Sequence, residues 1–130
     1  MIRAIAAISL VYDVSVGIAL SLFRQQFQDL FAVPAPQPPI HVDLNALFVT
    51  CVGIGYVLPY RDPVRYRGYM WIFGVLLKFG GAAAFTADYL LRGSPSSFLL
   101  FAASDGTLAA LSLAALLRQD GSPVPNDERN

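Results

Sequence analysis

Apolar residues run along this chain in four long stretches, each bounded by charged residues, proline or both. Residues 4–23 lie between Arg3 and Arg24, and residues 44–60 follow Asp43 and stop at Arg61, Asp62 and Pro63. Residues 68–91 lie between Arg67 and Arg92, and residues 97–117 end at Arg118. A helix rises ~1.5 Å per residue and the hydrocarbon core is ~30 Å thick, so ~20 apolar residues suffice to cross it. The pattern predicts four membrane-spanning helices. A secretory signal peptide is the rival reading of the first stretch. Its apolar run exceeds the ~7–15 residues of a signal core, and Ala32-Val33-Pro34-Ala35 is a poor processing site because proline sits inside it.

The connections differ in character. After the first span Phe23, Phe27, Leu30 and Phe31 recur at helical spacing between Arg24, Gln25, Gln26, Gln28 and Asp29. That pattern predicts an interfacial helix whose apolar face meets lipid or a partner. Pro34, Pro36, Pro38 and Pro39 then force an extended crossing. Asp43 can cap the second span, and Asp62 before Pro63 reads as an N-cap that starts the third helix early. Gly93 is placed to end that helix. Residues 119–130 form a polar tail predicted to be disordered, beyond a single four-helix domain over residues 1–118.

Composition sharpens this picture. Among 130 residues 55% are apolar and 14% charged, against about 25% charged in soluble domains. Nine basic and nine acidic residues leave no basic field for nucleic acid. One cysteine excludes a disulfide framework, and the single histidine, His41, excludes a histidine-built metal or haem site. Arginine sets the direction. Arg3, Arg61, Arg65, Arg67, Arg118 and Arg129 fall on one side of a four-span protein and only Arg24 and Arg92 on the other. Both termini are therefore predicted to be cytoplasmic, in a bacterial inner membrane, with His41 on a solvated outer loop. Tyr56, Tyr60, Tyr66, Tyr69 and Trp71 surround the arginine-rich connection as an interfacial belt would.

Three charges stand at mid-membrane depth: Asp13, Lys78 and Asp105. Each costs about 2.5–3.5 kcal/mol at a helix centre if isolated, so mutual pairing inside the bundle is the economical arrangement. Small residues share their faces: Ser9 and Gly17 with Asp13, Gly74, Gly81 and Ala82 with Lys78, and Ala102, Ala109 and Ser112 with Asp105. On the second span Asn45, Gly53 and Tyr56 form a less distinct inward stripe, and Cys51 reads as a small core residue. Ser9, Asn45, Tyr56 and Ser112 are the candidate second ring around the charges. Asp88, nearer the outer interface, reads as solvated. Two readings of the cluster stay open. A structural pairing fixes helix order, whereas two carboxylates against one ammonium leave a negative charge for a proton, a cation or a polar head group to neutralise.

The segment Tyr60-Arg61-Asp62-Pro63-Val64-Arg65-Tyr66-Arg67-Gly68, followed by Lys78 and then Asp105, resembles small four-span bacterial membrane proteins of the DoxX-like type. The resemblance covers residues 44–117. It implies a four-helix membrane fold and an association with membrane redox or lipid metabolism. Several such relatives carry an Asn-Asp pair followed by tryptophans in the fourth span, where this chain has Ser104-Asp105 and Gly106-Thr107.

No nucleotide-binding, metalloprotease or nucleophile-elbow motif occurs, so no catalytic residue and no metal ligand is assigned. The leading expectation is a non-catalytic accessory or structural subunit in the lipid bilayer, held against another membrane protein or a second copy of itself. The alternative is a lipid-, quinone- or pigment-binding, or proton-handling, protein that uses the Asp13, Lys78 and Asp105 cluster. A membrane enzyme using those residues as acid and base is the third reading.

Overall fold

The computed structural model describes residues 1–120, and all regular structure in them is helical. In chain order the elements are α1 (Ile2–Leu22), α2 (Arg24–Phe31), α3 (Ile40–Gly55), α4 (Val57–Arg61), α5 (Arg67–Tyr69), a π-helical stretch (Met70–Leu77), α6 (Lys78–Arg92) and α7 (Phe98–Asp120). Among the described residues four segments are long and apolar enough to cross a bilayer: Ile2–Leu22, Ile40–Arg61, Arg67–Arg92 and Phe98–Gln119. Gln119 and Asp120, expected to lie in a disordered tail, are instead the last residues of α7. Residues 121–130 of that tail lie outside the described residues.

Local chemistry explains the breaks. Pro59 has no N–H to give the Gly55 carbonyl and its ring crowds that carbonyl, so the second span is interrupted at Tyr56 between α3 and α4. Tyr56 N–H turns instead to the Gly53 carbonyl at 3.1 Å. Gly93 ends α6 in the left-handed region (φ 68°), and Ala32 ends α2 there as well (φ 53°) before the prolines. Two start signals act differently from expectation. Asp43 does not cap the second span, which begins at Ile40; it sits in the first turn and pairs with Arg24 of α2. Asp62 accepts from the Arg65 N–H at 3.0 Å and shapes a turn over residues 63–66, and the regular helix starts only at Arg67. Within the third span the backbone bonds five residues back over Met70–Leu77, where an unbroken α-helix was expected.

The spans pack in the order α3, α1, α7, α6. The first span lies against α3 and α4 on one side and α7 on the other, while α7 also covers the π-helical stretch and α6. At the end that holds Met1, Arg118 and residues 61–67, the third span is tied to the second: Tyr69 donates to the Val52 carbonyl at 2.5 Å, and its ring meets Tyr56 edge-on at 5.2 Å. Ile2, Ile5, Ala6, Met70 and Leu116 close the core there. Farther along, α3 and α6 are not packed on each other, and a cleft separates them.

The outer surface is apolar, and a few polar groups are enclosed within the otherwise apolar core. Large apolar side chains such as Val11 (63% exposed), Leu76 (67%) and Leu100 (63%) face outward, whereas Ser9, Asp13, Lys78 and Ser112 are buried. In water that distribution would be untenable; in lipid, helices gain nothing by hiding leucine and much by satisfying polar groups internally. Cys51 is exposed on the outer surface, not in the core as expected. It lies two residues from buried Gly53, hence on the opposite side of α3. The face of α2 is also divided. Phe27 and Phe31 pack on Phe101 of α7, at centroid distances of 5.8 and 5.0 Å, while Phe23 and Leu30 stay exposed.

Candidate functional site

Asp13 lies midway along α1, Lys78 opens α6, and Asp105 lies in the first half of α7. The packing order brings all three together. Lys78 Nζ stands 2.8 Å from Asp13 Oδ1 and 3.2 Å from Asp105 Oδ1. The two partners are not equivalent. Asp13 is almost wholly enclosed, with 4% of its side chain exposed, whereas Asp105 retains 18%. Gly81 gives Asp105 its room: a Cβ there would sit 3.1 Å from Oδ2.

Tyr12 and Ser104 complete the cluster, and sequence reasoning missed both. Ser104 Oγ donates to the Phe101 carbonyl at 3.0 Å, so its one proton is committed and Tyr12 is the donor in the 2.7 Å bond between the two hydroxyls. That bond ties α1 to α7 beside the charges. The Tyr12 ring also presents its face to Lys78, with Nζ 5.0 Å from the centroid. Neither residue shares a helical stripe with its charged neighbour, so only the helix packing reveals them.

The expected second ring divides into two groups. Ser9, Tyr56 and Ser112 are fully buried. They lie toward the sealed end, Ser9 one turn before Asp13 and Ser112 about two turns beyond Asp105. Asn45 lies on the other side and is exposed at the cleft. Asp88, read as solvated, is held by Arg92 at 2.8 Å and by the Ser94 hydroxyl at the loop end of the third span.

A cavity of about 170 Å³ occupies the cleft. Asp13, Lys78 and Asp105 form its polar wall, Asn45 stands on the α3 side, and Phe48, Phe85 and Phe101 supply much of the remainder. A larger cavity of about 730 Å³ lies on the loop side beneath Pro34 and Pro36, flanked by His41 and Arg92. Leu20 and Asn45 line both, so the two spaces adjoin. The arrangement offers one charge-bearing wall, an apolar chamber and a vestibule at one end of the bundle. Among the described residues no group of His, Cys, Asp or Glu side chains is assembled to hold a metal ion. No family model, curated protein or solved structure matches this chain.

Proposed function

We propose that this multi-pass membrane protein is a non-catalytic binding protein, holding a small molecule of lipidic, quinone-like or pigment-like character against Asp13, Lys78 and Asp105. The observation that carries the reading is the cavity of about 170 Å³ whose polar wall is the ion-paired cluster and whose remaining walls are largely aromatic and aliphatic. Ligand sites have this composition: mostly apolar, with a few convergent polar groups that fix orientation. A purely structural ion triad does not require a lined cavity beside it. The accessory-subunit reading rests on the apolar outer surface, which a bilayer alone satisfies.

Native mass spectrometry of the full chain released from mild detergent tests this. A non-protein mass should accompany the wild type and be missing from the triple variant Asp13→Asn, Lys78→Met, Asp105→Asn. A stoichiometric protein partner with no small molecule would favour the accessory subunit instead, and turnover by the isolated chain would favour an enzyme.

The same reading places the protein in a bacterial cytoplasmic membrane with both termini and residues 61–67 inside. Its support is the arginine asymmetry together with the common end shared by Met1, Arg118 and the 61–67 connection. Single cysteines at Gln37 and Arg65, with the outward-facing Cys51 replaced, should react with an impermeant reagent from opposite sides. Reaction of both from outside would sink this topology.

A further inference from the structure

The charge on the cluster changes the class of ligand: the step rests on the small-molecule binding reading above and replaces a neutral quinone- or pigment-like occupant with a charged one. Two carboxylates face one ammonium, so the fully ionised site carries one negative charge in excess. Asp13 is committed: it makes the shorter contact with Lys78 and is almost wholly enclosed. Asp105 makes the longer contact, keeps part of its side chain accessible and lines the cavity. The excess charge is therefore presented at Asp105. An uncompensated carboxylate in low dielectric draws a counter-charge or a proton. A proton needs neither a chamber nor aromatic walls, and this site has both. Phe48, Phe85 and Phe101 line the space, and aromatic faces attract cations. A cavity of ~150 Å³ holds a benzene ring, so this one of about 170 Å³ takes a ring-sized body. Leu20 and Asn45 line both spaces, so the chamber adjoins the loop-side vestibule, while Tyr56, Met70 and Leu116 fill the opposite end of the bundle.

We infer that the site takes an organic monocation, a ring-sized apolar body carrying one ammonium, which enters from the loop side and sets its positive head against Asp105. The test is a charge series on one ring, measured as saturable binding to the full chain in detergent micelles: benzylammonium, benzyl alcohol and benzoate. Benzylammonium should bind about tenfold or more tightly than the other two, the worth of one charge-assisted contact. Asp105→Asn should remove that advantage, bringing benzylammonium down to the level of benzyl alcohol. If that variant does not fold, the series on the wild type decides alone. Equal binding of the alcohol, or preference for benzoate, would overturn the cation while leaving a small-molecule site in place. Failure of all three to bind would overturn both readings.

Discussion

Replacing Lys78 by methionine should cost the bundle about 3–5 kcal/mol, the usual penalty for removing one member of a buried ion pair. The substitution keeps an unbranched chain of similar length, so lost charge rather than lost volume dominates the effect. Asp13 would be left 96% enclosed on its side chain, with its partner gone. Asp105, more accessible, has a cheaper escape. Adding Asp13→Asn and Asp105→Asn to Lys78→Met should recover much of the loss, because no unpaired charge then remains. Thermal unfolding in detergent, followed by circular dichroism, measures all three proteins. A harmless Lys78→Met at neutral pH with no gain from the further changes would show that the charges do not interact. The asymmetry adds a finer expectation: Asp13→Asn alone should destabilise more than Asp105→Asn alone.

Gly53→Ala should cost about 1–3 kcal/mol, although it adds one methyl group. A Cβ at Gly53 would lie 2.9 Å from the backbone nitrogen of Val14 and 3.1 Å from Asp13 Cβ. Backbone cannot rotate away as a side-chain tip can, so α1 and α3 must separate. That separation would also shift Asp13 relative to Lys78. Gly80 supplies the control, since nothing lies within 4 Å of a Cβ built there. Gly80→Ala should gain up to about 1 kcal/mol from the better helix former. Opposite signs for the same chemical change would locate the effect in the α1–α3 contact; equal effects would refer it to helix propensity alone.

The spans and the charged trio were legible in the sequence because the bilayer allows few alternatives. A run as apolar as residues 4–23 has nowhere else to go, and Asp13, Lys78 and Asp105 at similar depths have little else to pair with. The break at Tyr56 was also legible in principle, since Pro59 forbids the bond that an unbroken helix needs. The site's other parts were not. The bond between Tyr12 and Ser104 spans 92 residues and exists only because α7 lies beside α1. The cavity exists because α3 and α6 stand apart, a property of packing order that helical periodicity does not encode. Cys51 was misplaced for a related reason: near mid-depth a small residue fits core or lipid face equally well, and only the position of Gly53 settles which way α3 turns. The division of the α2 face likewise depends on Phe101, a residue of the last span.

The depth of Asp105 has an electrical consequence for the proposed cation. A charge crossing an entire membrane exchanges about 2.3 kcal/mol with each 100 mV of potential. A cation that enters from the loop side and stops near the middle crosses about half of that drop, or about 1.2 kcal/mol. If the loop side is the outer one, a negative interior pulls such a cation inward, and each 100 mV tightens its hold about sevenfold. The sealed end at Tyr56, Met70 and Leu116 prevents the same field from carrying it through. Such a site would fill when the membrane is energised and empty when the potential collapses, with no moving part beyond the occupant itself.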